Sequence, residues 1–208
     1  VYRNRSLCLV KRRDYAGAAD DLTRAIGLEP SRAQFYGERG EAYRNLKEYE
    51  KAQADYEKAL VLGGAAADLY VSLGDMQESM GEAQKALQNY EKAIQLDPNC
   101  ARAYNNRGVV YLSQQETEKA LADYRRAARL AGDRPLYHVN IASPLNRLER
   151  YSEAVTSCNR AIRLDPDYAG AYSARARAYQ GLGQTEKAER DLATYRKLTE
   201  TQKDAPQA

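Results

Sequence analysis

The sequence predicts an all-α fold: a solenoid of about six antiparallel helix pairs. Three observations carry that prediction. One pattern recurs every 34 residues without gaps, with alanine at 18, 52, 86, 120, 154 and 188, and a fixed period of this length marks a repeat architecture. Each repeat holds two apolar stripes at helical spacing, and no strand-like alternation of useful length appears. Helix-ending residues fall in one slot: Pro30, Pro98 and Pro166, with Gly64 and Gly132 in the other two copies. Proline cannot continue a helix and glycine accepts the left-handed cap, so both end the second helix by different physics.

The repeats are read as 1–32, 33–66, 67–100, 101–134, 135–168 and 169–202. The first lacks its two opening residues. A ring stands at Tyr2, Tyr36, Tyr70, Tyr104, His138 and Tyr172, followed four residues later by Ser6, Gly40, Gly74, Gly108, Ala142 and Ala176. In repeat 2 the first stripe is Tyr36, Gly40 and Tyr43, with Leu46 beyond, and the second is Ala52, Tyr56, Ala59 and Leu60. The small residues let two helices approach and the tyrosines fill the space around them. Neither helix is stable alone in water, so stability comes from stacking neighbours. Repeat 5 is irregular. His138 replaces the usual tyrosine, and Pro144 lies deep in its first helix, where it removes a backbone bond and predicts a kink. That is either a functional bend or a tolerated irregularity, the second being preferred. In repeat 6 the second alanine series (25, 59, 93, 127, 161) breaks at Tyr195, where no seventh repeat must pack. The array is taken to end at 198, leaving a polar tail, 199–208, expected to be disordered.

Repeat 4 gives the pattern most fully: Tyr104, Gly108, Tyr111, Ala120, Tyr124 and Ala127, entered through Pro98. These residues resemble the tetratricopeptide repeat (TPR), and the resemblance covers residues 1 to about 198. It implies a right-handed superhelix whose first helices line a concave groove. It also implies a protein–protein interaction scaffold and no enzyme. The alternative is the partner-recruiting region of a larger enzyme or assembly factor, since the chain opens at Val1 inside a repeat and an upstream segment is expected.

By the same resemblance, positions two, five, six, nine, twelve and thirteen of each repeat face the groove. The candidate peptide-binding residues are Asn106, Asn140, Asn105, Arg102, Glu38, Glu41, Asp75 and Arg147. Repeats 2 and 3 set five acids (Glu38, Glu41, Asp68, Asp75, Glu78) against Arg44. This stretch either favours a basic partner segment or is simply a solvated acidic surface. Asparagine recurs at position six (Asn4, Asn106, Asn140), with Asn105 alongside, and an amide carries both donors and an acceptor for a peptide backbone. The set looks like a partial asparagine ladder, broken by Glu38, Ser72 and Ala174. The carboxylate clamp of chaperone-tail-binding relatives is not matched. Its lysine slot holds Arg3, Gly37, Val71 and Asn105, and the slot after it Leu7, Glu41, Asp75 and Val109.

A second pattern concerns charge. Position seven reads Arg5, Arg39, Leu73, Arg107, Ile141 and Arg175, and sixteen residues later stand Asp21, Asp55, Asn89, Asp123, Ser157 and Asp191. Arginine and aspartate appear and disappear together, which predicts four ion pairs between the two helices of a repeat, because an unpaired buried charge is costly. The functional alternative is a ligand-facing arginine ladder.

Composition bounds the rest. With 32 basic and 29 acidic residues the net charge is +3, too balanced to argue for nucleic acid. No stretch is long enough to span a bilayer. Cys8, Cys100 and Cys158 lack metal-site spacing. Cys8 and Cys158 fall on apolar helix positions and are read as buried free thiols, which fits a reducing, cytoplasmic location. His138, the one histidine, sits in a packing slot, so no nucleophilic triad is expected. No cofactor is implied. The partner is a protein or peptide, and Leu192, Tyr195 and Leu198 form a candidate homodimer patch on the last helix.

Overall fold

The computed structural model describes residues 1–204, with side chains through Thr201. Its helices are α1 (Tyr2–Lys11), α2 (Tyr15–Leu28), α3 (Ala33–Asn45), α4 (Tyr49–Val61), α5 (Ala66–Ser79) and α6 (Ala83–Leu96). They continue as α7 (Ala101–Ser113), α8 (Thr117–Leu130), α9 (Pro135–Arg147), α10 (Tyr151–Leu164), α11 (Ala169–Gly181) and α12 (Thr185–Asp204). No strand occurs among the described residues. The chain forms two compact units: the first is Val1–Pro98 and the second starts at Asn99. Unit 1 stacks α1 to α6 as three helix pairs and unit 2 stacks α7 to α12 in the same way. Within each unit every helix packs on its chain neighbours, and first helices also touch, α3 with α5 and α9 with α11.

The turn inside each pair is set by one residue. Position fifteen of all six repeats has a positive φ, between 56° and 78°: Arg13, Lys47, Gly81, Gln115, Glu149 and Gly183. The next residue's N–H then reaches back to the carbonyl five residues earlier, as in Glu48 to Tyr43 at 2.9 Å and Gln184 to Tyr179 at 2.9 Å. This is the 6→1 closure of a left-handed helix stop. Four non-glycine residues accept the strained conformation because the helices on both sides fix it.

Packing within a pair follows a size rule between positions eight and twenty-four. Gly40 faces Tyr56, Gly74 faces Tyr90 and Gly108 faces Tyr124; a Cβ at these glycines would stand 2.8, 2.5 and 2.8 Å from the ring. Where position eight has a side chain (Ser6, Ala142, Ala176), position twenty-four shrinks to Leu22, Cys158 or Leu192. The tyrosines are buried (Tyr56 and Tyr90 0 % exposed), as are the alanines of the 34-residue series.

Two expectations are corrected. Cys8 is exposed, whereas Cys158 is fully buried. Its repeat position is buried at Ala42, Met76, Val110, Pro144 and Ala178, but α1 is the first helix here and none of the described residues covers that face. The tail expected from 199 is helical through Asp204. Glu, Gln, Lys and Thr extend the helix, the Thr199 hydroxyl donates to the Tyr195 carbonyl at 3.0 Å, and no breaker residue intervenes. Residues 205–208 of that tail lie outside the described residues. Helix α9 runs through Pro144, which occupies the buried position-ten slot.

Gly40→Ala drives a methyl into the Tyr56 ring and is expected to cost about 1–3 kcal/mol. Gly27→Ala, where nothing lies within 4 Å, is expected to gain roughly 0.5–1 kcal/mol. Urea denaturation of both variants checks this; equal effects would remove the size rule.

Candidate peptide-binding face

Each first helix is held by a charged clamp before it presents anything. Arg39 donates to both oxygens of Asp55 at 2.8 and 2.8 Å, Arg107 to Asp123 at 2.8 and 2.9 Å, and Arg175 to Asp191 at 2.7 and 2.7 Å. Arg5 binds Asp21 in the same fork. The aspartates are buried (3–6 % exposed), so the four pairs are interhelical architecture, as the linked pattern predicts. The sequence reading missed what surrounds them. Arg39 lies between the rings of Tyr36 and Tyr43, each 5.7 Å away, and Arg107 and Arg175 lie likewise between Tyr104 and Tyr111 and between Tyr172 and Tyr179. A lysine caps the second ring: Lys51, Lys119 or Lys187. A cation over an aromatic face is attracted by the ring quadrupole. The full set occurs in repeats 2, 4 and 6. Arg39 also donates to Thr23 and Arg175 to Asn159, each in the preceding repeat.

In unit 1 four acids of the first helices are already engaged. Glu38 is bound by Arg3 at 2.7 and 3.0 Å and by Gln34 at 3.0 Å. Glu41 pairs with Arg44 and accepts the Tyr56 hydroxyl at 2.9 Å. Asp75 accepts the Tyr90 hydroxyl at 2.9 Å, and the same hydroxyl lies 3.1 Å from Glu78. The acids at position nine are thus held from below by tyrosines that cross under glycine. Burial, then the nearby carboxylates, pushes both phenols well above the ordinary tyrosine range. Burial also raises the Glu78 carboxyl. The structure gathers Glu41, Arg44 and Asp75 and sets Glu38 apart with Arg3. Tyr56 and Tyr90 are the residues that spacing missed; the recurring fifteen-residue gap from acid to tyrosine was the available signal.

In unit 2 the asparagines form a relay. Asn140 Nδ2 donates to Asn105 Oδ1 at 2.8 Å, and Asn105 Nδ2 donates to Asn106 Oδ1 at 3.0 Å. Asn105 is 6 % exposed, so it holds the other two in place from beneath. Asn106 and Asn140 are half-buried, and Arg102 and Arg147 are exposed. Arg147 donates to the Leu112 carbonyl at 3.0 Å, and Asn146 donates to the Ala174 carbonyl at 3.2 Å, leaving its own oxygen buried without a hydrogen bond. The relay repeats a register seen in unit 1: position five of one repeat meets position six of the next, Arg3 with Glu38 and Asn105 with Asn140.

Other groups have structural settings. His138 Nε2 lies 3.0 Å from the Gly132 carbonyl. Tyr36 and Tyr172 make the equivalent bond to Pro30 and Pro166 at 3.0 and 2.9 Å. Because a carbonyl only accepts, the Nε2–H tautomer is the one that fits. Burial pushes the Cys158 thiol up to about 12. Leu192, Tyr195 and Leu198 are half-buried. No described helix is long and apolar enough to cross a membrane.

The helix pairs and their period define an α-solenoid of the tetratricopeptide class. Family models agree. Tetratricopeptide repeat models match residues 7–69 and 101–133, and a TPR repeat model matches 79–115 and 145–183. The chain belongs to the tetratricopeptide repeat family. It is similar to the TPR repeat-containing thioredoxin TTL4 of Arabidopsis thaliana, 43 % identical over 63 residues, which are 30 % of this chain and 9 % of that protein. The chain therefore matches under a tenth of that relative's length. Among solved structures, PilF of Pseudomonas aeruginosa superposes with a TM-score of 0.80 at 20 % identity, covering 95 % of this chain and 90 % of that one. YrrB, described as a TPR protein with an unusual peptide-binding site, gives 0.57 at 23 % identity, covering 82 % and 88 %. At these identities the structures show the shared fold.

Removing Arg39 strands a buried carboxylate. Arg39→Ala is expected to cost toward the lower end of about 3–5 kcal/mol. Arg5→Ala, whose arginine is 56 % exposed, should cost less than Arg39→Ala, because water screens that pair. Denaturation of the two variants compares them. The Arg5 guanidinium holds the Asp21 carboxyl below its usual range. Its contribution is therefore complete above the ordinary carboxylate pKa of about 3.9 and is lost as pH falls through the lowered value. Arg5→Gln should flatten that part of the acid-unfolding curve; an unchanged curve would remove the linkage.

Proposed function

We propose that this chain is a protein-interaction scaffold that binds an extended peptide segment along its first helices. The observation that supports this most is the amide relay of unit 2. An extended peptide exposes N–H and C=O groups along its length, and a row of amides offers both kinds of partner. The relay fixes the rotamers of Asn106 and Asn140, so less side-chain freedom is lost on binding. Asn140 also keeps an oxygen with no partner among the described residues. On unit 1, Asp68 and Glu78 support a basic stretch of ligand, while Glu38 is drawn on by Arg3 and Glu41 and Asp75 lie about Arg44 and contribute less. A second reading, a recruiting region within a larger enzyme or assembly factor, is supported by the small share of its curated relative that the chain matches.

The test is capture of partners from the source lysate by the chain and by Asn106→Ala/Asn140→Ala, followed by affinity measurement with the purified partner. The double variant is expected to lose about tenfold or more in affinity, the scale of one or two lost hydrogen bonds. A partner held equally by both proteins would move binding off this face.

A further inference from the structure

Position twenty-nine of the repeat is uncharged in unit 1 and cationic throughout unit 2. The slot holds Gly27, Val61 and Gln95 in the first unit and Arg129, Arg163 and Lys197 in the second. The fold itself therefore asks for no charge there. Each of the three cations is the thirteenth residue of its second helix, α8, α10 or α12, so they stand at one height on successive helix pairs. All three are exposed, and so is Arg160, one turn before Arg163. At the position of Arg160 in other repeats, Arg24, Lys92 and Arg126 lie over the rings of Tyr2, Tyr70 and Tyr104; repeat 5 has His138 in place of that tyrosine. Among the described residues the side chains of Arg129, Arg160, Arg163 and Lys197 make no ion pair, hydrogen bond or ring contact. Residues 124–130 and 158–164, the later halves of α8 and α10, hold five arginines and no acid. The nearest acids in sequence are Asp133, Asp165 and Asp167, in the turns after these helices, and Glu200 on α12. None of them pairs with the four cations.

Architecture does not account for this row. Like charges one helical turn apart repel, as Arg160 and Arg163 must. A cation in the last turn of a helix is favoured by the helix dipole, which suits Arg129 and Arg163. It does not suit Lys197, because α12 runs on to Asp204. We infer that the second-helix face of unit 2 is a docking surface for an acidic protein segment, whose Asp and Glu side chains meet Arg129, Arg160, Arg163 and Lys197. The amide relay lies on first helices, so this surface is separate from it and does not rest on the peptide-binding reading above. Complementary potential steers an acidic segment toward the row and rejects a basic one. Guanidinium suits carboxylates, because its planar fork donates two parallel bonds. A lipid surface fits less well. The exposed large apolar side chains of unit 2, Leu136 and Leu182, stand outside the second helices, so none accompanies the cations into a bilayer. Single-stranded nucleic acid is held largely by stacking on aromatic rings. Tyr124, Tyr151 and Tyr195, the aromatic residues of these helices, are buried or half-buried.

The experiment uses the full chain and three fluorescein-labelled, C-terminally amidated peptides. They share one Ser/Ala background and carry Glu, Gln or Lys at every second position. Anisotropy titrations compare the wild type with a row variant, Arg129→Gln/Arg163→Gln/Lys197→Gln. A control, Lys11→Gln/Arg12→Gln/Lys58→Gln, removes the same charge from exposed positions of unit 1. Circular dichroism confirms that both variants are folded. The Glu peptide is expected to bind the wild type about tenfold or more tighter than the Gln peptide, with affinity falling as salt rises. The row variant should bring it down to the Gln level, while the control stays within about threefold of the wild type. Equal binding of Glu and Gln peptides, preference for Lys, or no binding at all overturns the inference. An equal loss in both variants also overturns it, because net charge rather than the row would then be read. A duplex oligonucleotide or a phosphatidylserine vesicle that binds more tightly than the Glu peptide, and is released by the row variant, reassigns the surface to phosphate and overturns it too.

Discussion

A guanidinium wedged between two helices must meet a carboxylate, and that requirement organises this protein. In repeats 2, 4 and 6 the arginine of the first helix forks onto an aspartate of the second and is flanked by two tyrosine rings. The clamp fixes how the helices of a pair sit against each other, so it also fixes which residues the first helix turns outward. The remaining nitrogen of Arg39 and of Arg175 reaches the preceding repeat. One side chain thus joins packing within a repeat to stacking between repeats. Its isolated worth is modest, because forming a buried pair recovers little beyond the desolvation it costs. Its leverage comes from the penalty for leaving either partner alone.

The size rule beneath the clamp ties the core to the first-helix face. Glycine at position eight exists because tyrosine at position twenty-four needs the space. The tyrosine crosses under the helix and delivers its hydroxyl to an acid at position nine, as Tyr56 does for Glu41 and Tyr90 for Asp75. One tyrosine therefore serves both the core and the first-helix face in two repeats. In repeat 5, Ala142 and Cys158 replace the pair and no hydroxyl arrives, and there the face is organised by amides instead.

Much of this was legible in the sequence and some was not, for physical reasons. The period of 34, the helix pairs and the four Arg–Asp clamps follow from spacing alone, because identical residues recur and the clamp partners vary together. Position fifteen was hidden because only Gly81 and Gly183 advertise a left-handed turn, while Arg13, Lys47, Gln115 and Glu149 adopt it under tertiary constraint. Cys8 was misjudged because its burial depends on a neighbour helix and not on its own position. The acidity of repeats 2 and 3 was overstated because Arg3 and Glu38 are 35 residues apart and only folding shows that they meet. Asn105 reads as one more groove amide, and only the coordinates place it underneath.

The alternation of clamps has a mechanical side. Repeat 3 has Leu73 and Asn89 where its neighbour has the charged fork, and repeat 5 has Ile141 and Ser157. Aliphatic contact is non-directional and tolerates sliding, whereas a two-pronged ionic fork between flanking rings holds one geometry. Repeat 5 is then a compliant element between two stiff ones in unit 2, and repeat 3 is the compliant element of unit 1. Transient opening concentrates where local free energy is lowest, so amide hydrogens of the third and fifth helix pairs should trade with solvent ahead of those of the second, fourth and sixth. A ligand lying across such a joint would meet a surface that can yield by small shear without parting the pairs on either side.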